Sequence, residues 1–597
     1  MSRVVLDCEV YKNYFLVAFK NVETGRTFYV ESFNDSEMNL DAIRSVMHKN
    51  TTISFNGLSF DLPILTFALL EKTNIEIKRL SDTIIRSNLP AWQICKSKNI
   101  TVPKQWDHID LIEVAPGQAS LKIYNGRLHG KRMQDLPYDP DLVLTREQAD
   151  EVRDYCINDL DSTILLYNTL KPQVELREVM STQYGIDLRS KSDAQIAEAV
   201  IKSELTKLTG QNYYSPKLKA DYSFQYQDPK ILTFQTEQLQ SIFERILEHR
   251  FTLRTNGSPE LPDWLAKTKI SIGSSVYQMG IGGLHSTEQS QYVEPKADEF
   301  LCDMDVASYY PNIILQQQIA PDSLGAPFLD VYQSIVDRRL KAKREGDKVT
   351  ADTLKISCNG SFGKLGSKFS ALYSPELLLQ TTLSGQLALL MLIESLELNG
   401  IKVVSGNTDG IVILCKKDKE KLLNTLAFNW MLETTYELER TDYARLASRD
   451  VNSYVAVKLD GKYKGKGLFA EPGLQKNPDR VIISEAVAKF IAKQIPIEET
   501  IKSCADITKF ITVRRVTGGA QWQEQYLGKA VRFYKSNEIS NDIEINYVKN
   551  GNKVPNSSGC KPLMDLPDSF PADVDYDYYI QEAYDLLKEV GYERKDN

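Results

Sequence analysis

The sequence predicts a multidomain α/β protein (α+β), because three features coincide. Its 597 residues exceed what one hydrophobic core accommodates, which favours three to five domains. Hydrophobic residues make up 42% and charged residues 25%, as in ordinary folded domains, so extensive disorder is not expected. Apolar, β-branched runs at residues 4–9 and 401–414 predict strands, whereas capping-box patterns at residues 145–148 and 192–195 predict helix starts.

The net charge and the spacing of the cysteines argue against several classes of protein. A net charge of −8 argues against a generally basic coat protein but allows local basic surfaces. The eight cysteines are scattered singly, which predicts reduced core residues and no zinc or iron–sulfur module. Asp7 comes too early for a signal peptide, and no apolar run approaches 18 residues. We therefore expect a soluble, cytoplasmic protein.

Two acidic residues lie among apolar strand residues in the middle of the chain. Asp305 follows an apolar and aromatic run that ends in a proline-marked turn, and Asp409 lies at the tip of the hairpin predicted for residues 401–414. A buried carboxylate is costly unless it is paired or holds a metal. Two carboxylates on neighbouring strands suit a pair of divalent ions about 3.5–4 Å apart, as used in phosphoryl transfer.

A second set of acids lies in the first third. Asp7 and Glu9 share one face of a predicted strand. Asp61 follows an apolar run with an Asn-Gly turn, and Tyr155 and Asp159 lie four apart on one helix face. Four acids and a tyrosine suit a two-metal hydrolase that cuts a phosphodiester, with the tyrosine orienting the water. Each acid taken singly is better explained as a surface residue or a helix cap.

This second set carries a family resemblance. D-x-E at Asp7 and Glu9, N-x-x-x-F-D from Asn56 to Asp61 and Y-x-x-x-D from Tyr155 to Asp159 resemble the three motifs of proofreading 3′–5′ exonucleases. The resemblance implies a ribonuclease H-like fold, metal binding by the acids of the first and third motifs, and a DNA contact at the asparagine of the second. Ser120 and Leu121 resemble the Ser/Thr-Leu element that holds a single-stranded primer end in related exonucleases.

A glycine-rich segment precedes the central strand. Residues 277–285 hold three glycines in four positions, which permits close approach of another backbone. The segment resembles the Tyr-x-Gly-Gly linker that contacts DNA between the exonuclease and polymerase parts of one group of polymerases. A tight loop explains it equally well.

Residues 305–311 resemble motif A of family B DNA polymerases, D-x-x-S-L-Y-P, with Tyr309 in place of the leucine. In that family the aspartate binds both metals, and the following backbone carbonyl, here that of Val306, binds one. The tyrosine before the proline, here Tyr310, blocks a ribose 2′-hydroxyl; the alternative is a core aromatic. Asp303 lies on the same strand face outside the family pattern, and we expect it to be solvated.

The next segment predicts two short antiparallel helices, as in polymerase fingers. A basic helix carries Arg339 and Lys343, and a second helix begins before Lys355. Three cations converging there suit a triphosphate, although a basic helix alone is as readily a solvated face. Residues 355–363 resemble motif B, K-x-x-x-N-S-x-Y-G, whose lysine and asparagine, here Asn359, are expected to bind the triphosphate.

Motifs B and C depart from the family pattern. In motif B, Gly360 replaces a serine and Phe362 replaces a tyrosine. Residues 405–410 resemble motif C, Y-G-D-T-D-S, with Asn407 in place of the first aspartate. In the family the second aspartate is the firmer metal ligand, so Asp409 carries the assignment and Asn407 is expected to form hydrogen bonds.

The last third holds a basic stretch with interleaved aromatics. Residues 449–536 contain 16 Lys and Arg against 9 Asp and Glu, which suits phosphate-backbone binding without sequence reading and predicts a thumb. The expected DNA contacts are Tyr454, which resembles the tyrosine of the family's Lys-x-Tyr element, and four cations: Lys464, Lys466, Lys529 and Arg532. The acidic residues 565–577 are expected to lead to a closing helix near residues 578–590.

The predicted domains follow the motifs along the chain. They are an exonuclease domain (1–190), a helical linker with the start of the palm (191–295), palm (296–328), fingers (329–372), palm (373–465), and thumb with a C-terminal helix (466–597). This is the right-hand order of palm, fingers and thumb that the resemblance implies.

The resemblance covers nearly the whole chain and implies a DNA-directed DNA polymerase with 3′–5′ proofreading. It implies primer-template DNA and dNTPs as partners and two Mg²⁺ ions per active site, with Mn²⁺ as a substitute. Only 50 residues separate Asp305 from Lys355, and 54 separate Lys355 from Asp409, which leaves no room for the insertions of protein-primed enzymes. We expect a small monomeric phage-type replicative polymerase, working in the host cytoplasm, that extends a nucleic-acid primer and needs a helicase or clamp for strand displacement or processivity.

Two other classes stay open. One is a 3′–5′ exonuclease whose degenerate polymerase half serves as a DNA-binding platform, as suggested by Asn407 and the altered motif B. The other is a non-catalytic primer-template-binding protein, which the nuclease acids disfavour.

Overall fold

The computed structural model describes residues 2–219 and 221–593, which form two compact units. Unit 1 contains the described residues up to Ser192 together with Pro472–Ile482 and Cys504–Tyr578. Unit 2 contains Asp193–Glu471, Ile483–Ser503 and the described residues from Tyr579 onwards.

The strands are β1 (Ser2–Val10), β2 (Tyr14–Asn21), β3 (Thr27–Phe33), β4 (Asn50–Ser54), β5 (His108–Asp110), β6 (Ser223–Gln225), β7 (Arg250–Thr252), β8 (Ile270–Ile272), β9 (Ser275–Met279), β10 (Leu284–Ser286), β11 (Gln289–Val293), β12 (Glu299–Val306), β13 (Lys402–Asn407), β14 (Gly410–Lys416), β15 (Leu438–Asp450), β16 (Ser453–Lys458), β17 (Tyr463–Lys466), β18 (Thr512–Trp522), β19 (Gln525–Lys535), β20 (Ile545–Tyr547) and β21 (Cys560–Pro562).

The helices are α1 (Leu40–Lys49), α2 (Asp61–Ala68), α3 (Asn74–Arg86), α4 (Ala91–Ser97), α5 (Leu121–Arg127), α6 (Arg146–Tyr184), α7 (Asp193–Thr209), α8 (Glu237–Glu248), α9 (Asp263–Ala266), α10 (Tyr309–Gln316), α11 (Pro327–Glu345), α12 (Lys348–Leu365), α13 (Pro375–Leu398), α14 (Glu420–Thr434), α15 (Val481–Lys493), α16 (Ile497–Lys502) and α17 (Tyr576–Glu589). Short 3₁₀ turns lie at Lys417–Lys419, Gly467–Phe469 and Ile507–Lys509.

A mixed five-stranded sheet, in the order β3-β2-β1-β4-β5, organises the first part of unit 1. The central strand β1 pairs antiparallel with β2 and parallel with β4. Leu6 and Cys8 pack with α1–α4 on one face, and Val5 packs with α5 and α6 on the other. Because side chains alternate along a strand, Asp7 and Glu9 lie on the α6 face.

Unit 1 also contains a four-stranded antiparallel sheet, β20-β18-β19-β21, from the last third of the chain. Helix α5 lies against β18 and β19. The range predicted as one thumb, residues 466–597, is therefore divided between the two units. Its assignment to a thumb stays a prediction, as do the other domain assignments.

Unit 2 is built on an antiparallel sheet in the order β17-β16-β15-β12-β14-β13-β10-β9-β8, with β11 paired to β15. Helix α13 packs in a large apolar core. By length and composition this helix could cross a membrane, although polar residues such as Thr381, Ser384 and Gln386 interrupt its apolar sequence. Because 89% of its most apolar window is buried inside the protein, it is explained as a core helix.

Helices α7, α11 and α12 of unit 2 pack together. A Cβ atom at Gly360 on α12 would lie 2.5 Å from the Asp193 carbonyl oxygen and 3.0 Å from Ala197 Cβ on α7. The serine found in the family's motif B would clash here, so the glycine is required by the close approach of α7.

Several predicted elements are confirmed. The hairpin forms from β13 and β14, and the capping box at Thr145 has both of its hydrogen bonds at the start of α6. The two finger-like helices are α11 and α12, which are separated at Gly346. The strand that carries Asp305 ends at Val306, and two residues separate it from α10. All eight cysteines are free, and all but Cys504 are buried.

Candidate active sites

The two central aspartates are brought together by strand register in unit 2. Strand β12 pairs antiparallel with β14, and Asp305 lies opposite Gly410. The backbone N–H of Val306 donates to the backbone oxygen of Asp409 at 2.7 Å. The end of β12 and the tip of the β13–β14 hairpin therefore place Asp305 beside Asp409, as predicted from the sequence.

Gly410 provides the space for the Asp305 carboxylate. A Cβ atom at Gly410 would lie 2.0 Å from Oδ1 of Asp305, far inside van der Waals contact. The carboxylate thus rests on the strand opposite it, where only glycine leaves room. The sequence analysis missed this role, and the available signal was a glycine directly after Asp409 at the start of a strand.

Asp303 is a third acid at this site, and its predicted solvation is wrong. The residue is only 6% exposed, and its Oδ2 accepts a hydrogen bond from the Tyr443 hydroxyl at 2.8 Å. Burial raises its pKa above the ordinary carboxyl value. Tyr443 lies on β15, which pairs with β12. The pairing of these two strands buries Asp303, and the sequence pattern around Asp303 does not indicate this burial.

The electrostatics of Asp305 show how close the charged groups lie. Burial raises the pKa of Asp305 to about 6, and repulsion from Asp303 and Asp409 adds to this effect. The ammonium groups of Lys464 and Lys466 oppose it. Two of the predicted DNA-contacting lysines therefore lie near the acids, and bound cations would relieve the remaining repulsion between the carboxylates.

Tyr454 lies near the same acids and lysines as Asp305. Burial and then the charges of the three acids raise its pKa to about 12. Strand β17 pairs with β16 so that Tyr454 lies opposite Lys466, whose Nζ is 5.9 Å from the ring centre. The structure thus brings Tyr454, Lys464 and Lys466 to one edge of the acid cluster.

The Asn407–Asp409 turn is held by hydrogen bonds, which confirms the expectation for Asn407. Its Nδ2 donates to the Val451 carbonyl oxygen at 3.2 Å, and the Thr408 hydroxyl donates to its Oδ1 at 3.0 Å. Thr408 has a positive φ of 53°, as required by the tight turn. Asn407 therefore supports the turn that presents the exposed Asp409 side chain.

The glycine-rich segment packs against this turn and against Tyr310. Gly283 has a φ of 150°, and a Cβ atom there would lie 3.0 Å from the Thr408 side chain. The Tyr310 hydroxyl donates to the Gly282 carbonyl oxygen at 2.9 Å. The Tyr310 ring also stacks on Phe362 of α12, with centroids 4.4 Å apart and an interplanar angle of 27°. Tyr310 is therefore held on two sides.

The predicted triphosphate ligands lie on α11 and α12. Arg339 is half-buried and lies near Cys358, whereas Lys343, Lys355 and Asn359 are exposed. The helices pack against each other, as predicted. That their cations converge on one ligand stays a prediction.

The acids of the first third converge in unit 1. The Cys8 backbone N–H donates to Asp61 Oδ1 at 2.9 Å, which joins the start of α2 to β1. On α6, the Tyr155 hydroxyl and the Asp159 carboxylate lie close enough to shift each other's pKa. The pKa of Asp7 is raised well above its ordinary value by burial, then by the charges of Asp61, Glu9 and Asp159. All four acids therefore lie within one electrostatic cluster, together with Tyr155.

The other acids of this cluster are perturbed in the same direction. The pKa of Glu9 is raised by burial and by Asp159, although Lys122 opposes the shift. Burial also raises the pKa of Asp61 to about 7, with a contribution from Asp110, and that of Asp159 to about 6. Perturbed groups of this kind are typical of functional sites.

Three residues near this cluster were missed by the sequence analysis. Cys156 donates its thiol hydrogen to Asp7 Oδ2 at 3.7 Å. Lys122 lies with Nζ 5.1 Å from the Tyr155 ring centre. The Asp110 carboxylate accepts from the backbone N–H groups of Asn56, at 2.7 Å, and Leu58, at 2.9 Å. Asp110 thereby holds the turn of the second motif, in which Asn56 has a φ of 72°.

The other predicted DNA-contacting residues differ in how exposed they are. Ser120 is exposed and caps α5 by accepting from the Ile123 N–H, Leu121 is half-buried, and Lys529 is exposed. The prediction for Arg532 is corrected, because its side chain is fully buried. Its guanidinium donates to the carbonyl oxygens of Leu563, Gly130 and Met564, at 2.7, 2.9 and 3.1 Å. This arginine joins segments of unit 1 and is not available to a phosphate.

Both clusters have the chemistry of a divalent-cation site. Their donors are carboxylate oxygens, the ligands that Mg²⁺ prefers, and repulsion between them is only partly balanced by lysines. Ligand atoms of Asp7, Glu9 and Cys156 lie within 4.8 Å of one another. Burial raises the pKa of the Cys156 thiol, so it fits a hydrogen-bond donor better than a metal ligand.

Comparisons with known proteins give one partial sequence relative. No family model matches the chain. A DNA polymerase of Archaeoglobus fulgidus is 22% identical over 308 residues, which cover 45% of this chain and only 38% of that protein. A solved structure of the family B DNA polymerase from the hyperthermophilic archaeon Pyrobaculum calidifontis matches over 100% of this chain and 78% of that one, at 14% identity and a TM-score of 0.41. The chain is thus similar to a DNA polymerase over slightly less than half its length.

Proposed function

We propose that this protein is a family B-type DNA polymerase that extends a primer on a DNA template and removes mispaired ends by 3′–5′ hydrolysis. The observation that carries the proposal is the register of β12 and β14, which sets Asp305 beside Asp409. The sequence similarity to an archaeal DNA polymerase supports it. The separate carboxylate cluster in unit 1 supports a second, hydrolytic site.

In the proposed synthesis, Asp305, Asp409 and the Val306 carbonyl would hold two Mg²⁺ ions. When bound, the ions would supply positive charge that activates the primer 3′-oxygen and balances charge on the triphosphate. Tyr310 lies under the sugar of the incoming nucleotide, where its ring excludes a 2′-hydroxyl. Lys355, Asn359 and the cations of α11 orient the triphosphate.

In the proposed hydrolysis, Asp7, Glu9 and Asp159 would hold the metal ions, with Asp61 completing the cluster. Tyr155 orients the attacking water, and its hydroxyl lies close enough to Asp159 to lower the pKa of that carboxyl. Ser120 and Leu121 contact the single-stranded end. A mispaired primer end melts more readily than a paired one, so it reaches this site more often.

We also propose a small phage-type enzyme that works as a monomer in the host cytoplasm. The short intervals between the predicted motifs support a nucleic-acid primer over a protein primer. Strand displacement or high processivity would need a helicase or clamp. Unaided extension through kilobases of duplex would contradict this part.

The test is extension of a labelled primer with Mg²⁺, with and without the four dNTPs. We expect lengthening with dNTPs and shortening without them. Asp305→Ala should abolish synthesis and spare hydrolysis, and Asp7→Ala should do the reverse. Shortening under both conditions in the wild type would instead favour a nuclease with a DNA-binding platform. Loss of both activities in either folded variant would contradict the two-site proposal.

A further inference from the structure

Tyr526, on the β18–β19 hairpin of unit 1, is a large aromatic residue that the protein leaves open and yet holds in place. It is 52% exposed. Its hydroxyl donates to Asp135 Oδ2 at 3.1 Å. A Cβ atom at Gly519, which has a φ of 93°, would lie 2.6 Å from Cε2 of the Tyr526 ring. The ring therefore lies against the backbone at a position where glycine is required.

The Asp135 carboxylate connects this tyrosine to the nuclease cluster. Its Oδ1 accepts from Lys122 Nζ at 2.5 Å, and its Oδ2 also accepts from the Lys529 backbone N–H at 3.1 Å. Lys122 in turn lies over the Tyr155 ring and weakens the pKa shifts of Glu9 and Asp159. Two hydrogen bonds and a cation–π contact in series thus link the exposed ring to the proposed site of hydrolysis.

Two glycines allow the β18–β19 hairpin to lie close to Asp135 and to the Tyr526 ring. A Cβ atom at Gly528, which has a φ of 96°, would lie 2.7 Å from the Asp135 Cβ. A glycine is therefore required where β19 meets Asp135, and another is required beneath the Tyr526 ring. A ring used only for packing would be covered, whereas this one is anchored at its hydroxyl and leaves much of its surface to solvent.

We propose that Tyr526 is a stacking platform for a base of the single strand whose 3′ end lies in the carboxylate cluster. Bases stack on exposed aromatic rings without regard to sequence, which suits an enzyme that removes any mispaired nucleotide. Asp135 is then a positioning residue that fixes the ring and Lys122 together. This inference rests on the proposed nuclease and adds a strand-binding role for the β18–β19 hairpin.

The test compares two substrates of the nuclease in the full-length protein. One is a single-stranded oligonucleotide, and the other is the p-nitrophenyl ester of thymidine 5′-monophosphate, which has one nucleotide and no further base to stack on Tyr526. Tyr526→Ala should raise the KM for the oligonucleotide about 5- to 150-fold, with kcat unchanged and the ester unaffected. Tyr526→Trp keeps a flat ring without the hydroxyl and should restore most of the KM.

Tyr214→Ala is the matched control, because Tyr214 is an exposed tyrosine of unit 2. It should leave both substrates unchanged. Normal hydrolysis with an unchanged oligonucleotide KM in Tyr526→Ala would overturn the inference and leave the proposed nuclease standing. An equal loss with both substrates would show that the tyrosine acts on the cluster itself, and would also overturn it. Failure of the wild-type protein to hydrolyse either substrate would overturn the proposed nuclease and this inference together.

Discussion

Replacing Gly410 by alanine should separate the two central aspartates without unfolding the protein. The added Cβ would lie 2.0 Å from Asp305 Oδ1 and 3.3 Å from the Met304 carbonyl oxygen. The first contact is impossible, but it involves the end of a side chain with two rotatable bonds. The Asp305 carboxylate would therefore swing away by more than an ångström, while the strand pairing stays nearly intact.

We expect Gly410→Ala to lower the rate of DNA synthesis. Misplacement of a reacting group by about 1 Å costs roughly 10²-fold in rate, which corresponds to about 2.7 kcal/mol of activation free energy. Overpacking costs about 1–3 kcal/mol of stability at most, because the clash is relieved by rotation. Hydrolysis by unit 1 should be unchanged, since Gly410 belongs to unit 2.

The assay is single-turnover incorporation of one dNTP on a primer-template, alongside hydrolysis of a single-stranded oligonucleotide. Gly473→Ala is the matched control, because a Cβ atom there would have no neighbour within 4 Å. A wild-type rate of incorporation in folded Gly410→Ala would refute the argument that Asp305 must remain over β14 for synthesis.

Two further predictions concern stability. Without divalent ions, the free energy of unfolding of unit 1 should fall by about 6 kcal/mol from pH 4 to pH 7, because the folded protein holds protons on Asp61 (pKa about 7) and Asp159 (pKa about 6) that the unfolded chain has lost. Urea unfolding in EDTA at a series of pH values measures this free energy. Asp61→Asn should reduce its dependence on pH, and Ca²⁺ should restore stability at neutral pH. A free energy of unfolding that stays constant or rises with pH in the wild type would contradict the raised pKa values. Arg532→Ala should destabilise unit 1 by about 2–5 kcal/mol, because three carbonyl oxygens lose a fully buried donor, whereas Lys529→Ala should leave stability unchanged and weaken DNA binding at low salt. Equal stability of the two variants would show that Arg532 is not a structural residue.

The sequence alone predicted the local elements that carry the candidate residues. The β13–β14 hairpin, the start of α6 and the break between α11 and α12 follow from turn residues, caps and apolar periodicity, which act over a few positions. The pairing of Asp305 with Asp409 was also predictable, because a buried carboxylate on a strand requires a partner and only a few segments could supply one.

Burial and long-range contact were decided by the tertiary structure. Asp303 and Arg532 both look like solvent-exposed charges in the sequence, yet both are buried by strands distant in the chain. Their hydrogen-bond partners lie up to hundreds of residues away, so no spacing rule reveals them.

The glycines show the same division between sequence and structure. Gly360 and Gly410 differ from a typical helix or strand residue only in what lies opposite them, which is α7 in one case and the Asp305 carboxylate in the other. The sequence determined which elements form and where the acids lie on them. Only the packed structure decided which side chains lack room for a Cβ atom, because steric contact depends on the neighbour that the fold supplies.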